Sequence, residues 1–283
     1  MRRIDRIKLD FTRNWKLPGK ERLSNLLKPS EAFRQSINQG IVWLSWEDIA
    51  IYTGADSYIE WAILSNGTYE EEINKLIRIS LKAGENALDV GGNIGLQSIR
   101  MAQCVGKTGN VFAFEPLGYL REKFEKNASL NKAGNITLLP FALSNEEGEA
   151  DFIVDQKSWN QGTFSLSNKI DGGEKEHVFI KIGDDIPEIK NLTSLSLIKI
   201  DVEGFELQVI RGLLNTIKTH GPRIIFEYDD NYWHDNGQHI NDCYSLLQSL
   251  NYTFYQITSV GCELIKNASD IVGGNLFCLQ DKG

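Results

Sequence analysis

Four apolar runs of this sequence end in carboxylates, which could accept hydrogen bonds from hydroxyl groups, hold a cation or take up a proton. The four residues are Asp89, Glu115, Asp201 and Glu227. In open α/β sheets the carboxyl ends of parallel strands lie along one edge, and ligands bind there. The repetition therefore predicts a single site along one sheet edge, suited to general acid–base chemistry.

A glycine-dense turn follows the first of these carboxylates. The motif is Asp89-x-Gly91-x-Asn93-x-Gly95, and apolar residues at helical spacing come after it. This pattern predicts a strand, a tight turn and a helix, in which the backbone can approach a ligand closely. The dinucleotide fingerprint G-x-G-x-x-G is not met, because Asn93 and Leu96 occupy the positions of its second and third glycines.

The next apolar run, residues 110–114, ends in Glu115 and Pro116. In doubly wound sheets a carboxylate at this place accepts hydrogen bonds from ribose hydroxyls, and proline ends the strand. An adenosine ligand would use these features if its zwitterionic tail lay over the glycine turn with the ammonium group near Asp89. S-adenosylmethionine has that shape and charge, so we expect it to be the cofactor.

Three carboxylates also surround the end of a later apolar run, residues 195–200. Asp201 follows the run, and Glu203 and Glu206 stand near the start of a helix predicted from about Phe205. A helix dipole stabilises acids in its first turn by about 0.3 to 1 kcal/mol each, which accounts for Glu206. It does not account for Asp201, because that residue belongs to the strand end.

Strands and helices alternate from residue 86 onward. The predicted strands are 86–90, 110–114, 135–140, 195–201, 223–226, 252–258 and 276–280, and the predicted helices are 95–104, 118–132, 205–214 and 238–250. Such alternation favours a parallel sheet with helices on both faces. We therefore expect an α/β fold with a doubly wound, seven-stranded, mostly parallel sheet and an antiparallel edge.

Two segments stand outside this alternation. Residues 1–66 are expected to form a small N-terminal extension, containing a helix near residues 30–38 and aromatic-rich strands, before the main domain at 67–283. Strands predicted at 151–154 and 178–182 flank a polar loop, for which a substrate lid and a disordered excursion are the two interpretations. The lid is favoured because Trp159 and Phe164 would be costly to leave in solvent.

Composition and net charge disfavour several classes of function. The 283 residues carry a net charge of -8, which disfavours a nucleic-acid partner because such proteins usually present a basic face. No apolar run approaches the length of a membrane span, and the first residues lack the apolar segment of a signal peptide. A cytoplasmic protein is expected. The four cysteines and four histidines show no metal-binding spacing, so no metal site is predicted.

The motifs together resemble the FkbM family of S-adenosylmethionine-dependent methyltransferases. The matching stretches are Asp89-Val-Gly-Gly-Asn-Ile-Gly95, Phe114-Glu-Pro116, Asn127, Asn131, Ala142-Leu-Ser144 and Lys199-Ile-Asp-Val-Glu-Gly204. The resemblance implies a Rossmann-like class I methyltransferase fold and O-methylation of a small-molecule or glycan acceptor, often a sugar hydroxyl or a natural product. Many relatives carry histidine at the position of Phe205, so a histidine base is not expected there.

Residue roles follow from this chemistry, with the family as support. The predicted cofactor-binding residues are Asp89, Gly91, Asn93 and Gly95 for the methionine part, Glu115 and Pro116 for the ribose, and Ala142 and Ser144 near the adenine. Methyl transfer to oxygen requires an aligned acceptor and removal of its proton. Asp201 or Glu203 is the candidate base, and Glu227 is expected to orient the acceptor.

Three alternatives remain open at this stage. The carboxylate cluster could bind Mg²⁺, which would lower the pKa of the acceptor hydroxyl. The chain could bind the cofactor without catalysing methyl transfer. A nicotinamide-dependent oxidoreductase would share the sheet, although the failed dinucleotide fingerprint disfavours it.

Overall fold

The computed structural model describes residues 7–8, 11, 40–44, 47–55, 57–154 and 174–281. The described residues divide into two compact units, one within Met1–Glu71 and Ile153–Lys175 and the other within Glu72–Phe152 and Glu176–Gly283. The predicted helix near residues 30–38 and the predicted lid loop with Trp159 and Phe164 lie outside the described residues. Within the described part, no helix has the length and apolar character needed to cross a membrane.

The first unit contains a hairpin and a capped helix. Strands β1 (Gly40–Leu44) and β2 (Ile49–Thr53) pair antiparallel. Helix α1 (Tyr58–Asn66) begins after Ser57, whose hydroxyl accepts a hydrogen bond from the Glu60 N–H while the Glu60 carboxylate accepts one from the Ser57 N–H, each at 3.2 Å. This reciprocal capping box fixes the start of the helix.

The remaining elements follow in regular order. The strands are β3 (Asn86–Val90), β4 (Asn110–Phe114), β5 (Ile136–Leu139), β6 (Phe141–Ser144), β7 (Gly148–Val154), β8 (Glu174–Ile182), β9 (Leu197–Ile200), β10 (Arg223–Tyr228), β11 (Tyr252–Thr258), β12 (Gly261–Ile265) and β13 (Gly274–Gln280). The helices are α2 (Glu71–Ser80), α3 (Leu96–Val105), α4 (Gly118–Leu130), α5 (Pro187–Lys190), α6 (Glu206–Gly212), α7 (Leu214–His220), α8 (Asp230–Asp235) and α9 (Ile240–Gln248). Short 3₁₀ turns lie at Gly106–Thr108, Gly183–Asp185 and Ala268–Asp270.

The main sheet of the second unit has the order β12-β11-β13-β10-β9-β3-β4-β5. Strands β10, β9, β3, β4 and β5 are parallel, and β13, β11 and β12 continue the sheet in antiparallel pairings. The α/β class and the mostly parallel sheet are thus confirmed. The predicted number of strands, seven, was wrong, because the sheet has eight. The eighth strand, β12, escaped prediction because most of its residues are exposed and it lacks an apolar run.

Helices cover both faces of this sheet. Leu88 and Ile198 pack in one apolar cluster with residues of α6, α7 and α9. Their sequence neighbours Ala87 and Leu197 point to the opposite face, into a second cluster with residues of α2 and α3. Because successive strand residues alternate between faces, these two layers confirm the doubly wound arrangement.

The segment expected to interrupt the alternation forms a separate three-stranded sheet, with the order β6-β8-β7. The strands predicted at 151–154 and 178–182 are present and longer than expected. Ala142 and Ser144 belong to β6, which pairs parallel with β8. Pro140 separates β6 from β5, so these two residues belong to a different sheet from the strand that precedes them.

The turns after β3 and β9 are packed against each other at the carboxyl edge of the main sheet. The Asp201 N–H donates to the Val90 carbonyl at 2.9 Å. Gly91 has a φ of +86°, and a Cβ atom added there would lie 1.9 Å from the Asp201 carbonyl oxygen. Only glycine satisfies both the backbone conformation and the contact.

We expect Gly91→Ala to destabilise the fold by about 3 kcal/mol or more, because the methyl group collides with backbone and the conformation is strained. Gly134→Ala is the matched control, since no atom lies within 4 Å of the added Cβ. Chemical denaturation of the two variants measures the difference. Equal free energies of unfolding for both variants would contradict the close approach of the two turns.

Candidate active site

The strand register places three of the predicted carboxylates in one row. Ile200 pairs with both Val90 and Phe226, and Val90 pairs with Phe114. The residues that follow these four positions are therefore level along the carboxyl edge, in the spatial order Glu227, Asp201, Gly91 and Glu115. Neighbouring strands are about 4.8 Å apart, so Glu115 and Asp201 begin about 10 Å from each other, on opposite sides of the Gly91 turn.

The turn Gly91–Gly95, here called the glycine turn, uses its own N–H groups within the protein. Gly91 and Gly92 both donate to the Phe114 carbonyl, at 3.0 and 2.9 Å, and Gly95 donates to the Gly92 carbonyl. Asn93 donates to Glu115 Oε2 at 2.8 Å, and the Ile94 N–H is bound by the Asn93 side chain. A phosphate site needs N–H groups that point at the ligand, so this turn is unsuited to a pyrophosphate.

Helix α4 fixes the shape of the glycine turn. The buried Asn127 side chain donates to the Ile94 carbonyl at 2.8 Å. Phe124 lies directly under the turn, and Cβ atoms added at Gly92 or Gly95 would come within 2.8 and 3.0 Å of its ring. Packing against Phe124 therefore requires glycine at both positions.

Glu115 is buried at the end of β4, and both of its carboxylate oxygens are anchored. Oε2 accepts from Asn93 N–H and Oε1 from Leu117 N–H at 3.0 Å. Burial raises the pKa of Glu115 to about 7, against the opposing effect of these N–H groups and the Arg121 guanidinium. A carboxylate oxygen has more than one lone pair, so each oxygen retains capacity to accept a ligand hydroxyl.

Asp89 is fully buried within β3. The Ser98 hydroxyl donates to its Oδ2 at 2.5 Å, while Oδ1 has no hydrogen-bond partner among the described residues. Burial raises the pKa of Asp89, and the neighbouring Lys199 ammonium opposes that rise. Because an unpartnered buried acceptor is costly, a cationic ligand group near the turn would stabilise the ionised carboxylate.

The second turn of the site, Asp201–Phe205, is here called the acidic turn. Asp201 forms a 2.9 Å ion pair with the buried Lys199. Glu206 accepts hydrogen bonds from the Val202 and Gly204 N–H groups at 3.1 to 3.2 Å. Glu206 therefore holds the backbone of the turn, in agreement with its expected role at a helix start.

Glu203 occupies the tip of the acidic turn with an unusual φ of +52°. Burial, together with the charges of Asp201, Glu227, Glu206 and Asp229, raises its pKa to about 9. The carboxyl group thus keeps its proton at neutral pH in the ligand-free protein. A positive charge in this cluster would favour the ionised form.

Helix α8, which was not predicted, lies beside the acidic turn, and residues that follow the helix bind the turn. Asn236 and Gln238, just beyond the helix, donate to the Gly204 carbonyl. Asp229 accepts from the N–H groups of Asn231 and Tyr232 and so caps the helix. A sequence signal existed for this helix, because an aspartate before Asp230–Asp235 is a favourable N-cap.

Other predicted residues lie away from this row. The Ser144 carbonyl lies so close to α6 that a Cβ atom at Gly212 would come within 2.0 Å of it, and Pro116 has its carbonyl bound by Arg121. The nearness of Ala142 and Ser144 to an adenine stays a prediction.

Sequence reasoning assigned no role to Lys199, although a charged residue inside an apolar strand signals a buried ion pair.

No group of three or more His, Cys, Asp and Glu side chains within the described ranges is arranged to hold a metal ion. The described residues present carboxylates beside the glycine turn, whose own N–H groups are all bound within the protein. A nucleoside that carries cationic groups and a diol fits this donor set, since the buried Glu115 can accept hydroxyls and Asp89 can face a cation. Because the N–H groups of residues 91–95 are all bound, the glycine turn offers none to the phosphates of a dinucleotide.

The sequence is similar to those of known methyltransferases. A model of the FkbM methyltransferase domain matches residues 89–254. The hexuronic acid methyltransferase AglP of Haloferax volcanii is 28% identical over 151 residues, covering 53% of this chain and 59% of that protein. Methyltransferase 1 of Beauveria bassiana is 26% identical over 143 residues, covering 44% of this chain and 57% of that protein. The matches thus span less than two thirds of either relative.

A solved FkbM methyltransferase from Methylobacillus flagellatus KT aligns with a TM-score of 0.44 at 12% identity, covering 97% of this chain and 59% of that one. The sheet order and the turn chemistry define a class I, Rossmann-like methyltransferase fold. With the domain match over more than half of its length, the chain belongs to the FkbM methyltransferase family. The cofactor of this domain is S-adenosylmethionine.

The raised pKa of Glu203 predicts a pH dependence of stability. In the unfolded chain a glutamate ionises near pH 4.5, whereas the folded group ionises at about 9. Between these values the unfolded state binds fewer protons, so the free energy of unfolding falls as pH rises, by at most about 1.4 kcal/mol per pH unit for one group. Glu203→Gln should remove this contribution.

Denaturation of wild type and Glu203→Gln from pH 5 to pH 9 tests this expectation. The variant should be more stable than wild type at pH 8 by more than about 1 kcal/mol, and the difference should vanish toward pH 5. Glu263→Gln on the exposed edge strand β12 is the control. A constant difference across the range would mean that Glu203 is not desolvated.

Proposed function

We propose that this protein transfers the methyl group of S-adenosylmethionine to a hydroxyl group of a sugar, glycan or natural-product acceptor. The observation that carries the proposal is the order of groups along the sheet edge. Glu115 lies on one side of the glycine turn, and Asp201, Glu203 and Glu227 belong to the other side. The Glu115 side of the sheet edge suits a nucleoside, and the Asp201 side suits the activation of a hydroxyl group.

Bound S-adenosylmethionine supplies an electrophilic methyl group, so the protein must bind, align and deprotonate the acceptor. In this assignment Glu115 accepts the ribose hydroxyls, and the glycine turn with Asp89 holds the amino-acid end. Pro116, Ala142 and Ser144 are assigned to the nucleoside side. The acceptor lies against the acidic turn.

Asp201 is the proposed base. Its ion pair with Lys199 fixes the carboxylate at the strand end, whereas the raised pKa of Glu203 leaves that group protonated at neutral pH. A protonated Glu203 can donate a hydrogen bond to the acceptor, and Glu227 is assigned to orient the acceptor. In this assignment Asp201 would accept the proton of the acceptor hydroxyl as its oxygen bonds to the methyl carbon, and the bond from that carbon to the cofactor sulfur would break, leaving S-adenosylhomocysteine.

The sugar acceptor class draws support from a relative. The Haloferax volcanii protein is named for hexuronic acid, and hydroxyl-rich acceptors suit a site lined with carboxylates. A panel of neutral hexoses, hexuronic acids, amino sugars and polyphenols, incubated with S-adenosylmethionine and analysed by mass spectrometry, should reveal methylation of at least one hydroxyl acceptor. Cofactor binding without transfer to any member of the panel would favour the non-catalytic alternative.

Asp201→Asn should lower kcat about 100-fold or more, because amides do not take up the acceptor proton. Calorimetric binding of S-adenosylhomocysteine should be unchanged in this variant. Glu203→Gln should lose less activity at pH 7, because glutamine resembles a protonated glutamate in shape and hydrogen bonding.

The exposed Asp242 in α9 provides the control Asp242→Asn, which should turn over as wild type. Full turnover by Asp201→Asn would remove Asp201 from the base role. A larger loss in Glu203→Gln than in Asp201→Asn would transfer that role to Glu203. Activity that persists after thorough chelation would exclude a magnesium-assisted route.

A further inference from the structure

The loop Glu115–Gly118, here called the ribose loop, is held from two directions. Inside the loop, Glu115 binds the Leu117 N–H, and the Arg121 side chain donates to the carbonyls of Glu115 and Pro116. The Gly118 N–H donates to Glu176, which lies 58 positions further along the chain on β8. Glu176 thus connects this loop to the three-stranded sheet through a hydrogen bond.

This contact serves a helix end that has no local cap. Helix α4 begins at Gly118, and its N-cap residue, Leu117, offers no side-chain acceptor. The first N–H groups of a helix have no partner within the helix, and carboxylates are favoured there by the helix dipole. Glu176 supplies both the missing acceptor and the negative charge.

Gly118 allows the carboxylate to come this close. A Cβ atom added at Gly118 would lie 3.0 Å from Glu176 Oε1 and 3.6 Å from an Arg121 guanidinium nitrogen. Glu176 and Arg121 therefore converge on the same backbone position, at the junction between the ribose loop and α4. Movement at this junction would displace the Glu115 carboxylate, because the loop is only four residues long.

We propose that Glu176 is a positioning residue for the nucleoside half of the cofactor, acting through the ribose loop. The inference rests on the proposed placement of the ribose at Glu115. Glu176 lies at the start of the second unit after residues 153–175. Its contact with Gly118 links the nucleoside side of the site to strand β8.

The test compares Glu176→Ala, Glu176→Gln and the control Glu149→Ala in the 283-residue chain. Glu149 is also a glutamate of the three-stranded sheet, but it is exposed and pairs with His177. Calorimetry with S-adenosylhomocysteine and with 5′-methylthioadenosine, which lacks the amino-acid part, separates the nucleoside half from the rest. Thermal unfolding without ligand reports any general loss of stability.

Glu176→Ala should weaken binding of both ligands about tenfold, as expected for a lost hydrogen bond to a charged group. Glu176→Gln, which keeps an acceptor oxygen, should recover part of the affinity, and Glu149→Ala should bind both ligands as wild type. Affinities equal to wild type in Glu176→Ala would overturn the proposal. So would weakened S-adenosylhomocysteine binding with unchanged 5′-methylthioadenosine binding, because the effect would then lie outside the nucleoside half.

These outcomes are separable from those of the proposed function. Wild-type protein that binds S-adenosylhomocysteine but methylates no acceptor contradicts the catalytic proposal and leaves the role of Glu176 standing. If Glu176→Ala transfers methyl groups and binds both ligands as tightly as wild type, only the positioning role of Glu176 is contradicted.

Discussion

The site depends on the close approach of two turns at the carboxyl edge of the sheet. The Gly91 backbone and the Asp201 carbonyl are packed so tightly that no side chain fits between them. This contact sets the position of the glycine turn relative to the acidic turn, and the parallel strands on either side carry Glu227 and Glu115 outward from it. The proposed cofactor and acceptor sides therefore lie on opposite sides of this backbone contact.

The glycine turn shows how one sheet architecture can serve different ligands. In dinucleotide-binding proteins the corresponding turn and helix N-terminus face a pyrophosphate. Here the N–H groups of residues 91–95 bind Phe114, Glu115, Asn93 and Gly92 instead. A ligand at this turn would meet the carboxylates of Asp89 and Glu115, an environment that favours cations and hydroxyl groups over phosphate.

Much of this arrangement could be predicted from local patterns. Strand β3 and β4 match their predicted bounds, because apolar runs that end in glycine or proline define buried strands well. The acidic turn was found because three carboxylates follow one apolar run. By contrast, β12 lacks an apolar run, and the role of Glu176 depends on a partner 58 residues away. The burial of Asp89 against Ser98 likewise depends on how α3 packs, which spacing alone does not reveal.

The central claim is that the sheet edge divides into a nucleoside side at Glu115 and an acceptor side at Asp201. A crystal structure of the protein with S-adenosylhomocysteine tests this claim most directly. The account predicts that the ribose hydroxyls donate to the Glu115 carboxylate and that the amino-acid end lies over Gly91–Gly95. A ribose bound at Asp201 or Glu203, with Glu115 free of ligand contacts, would contradict it.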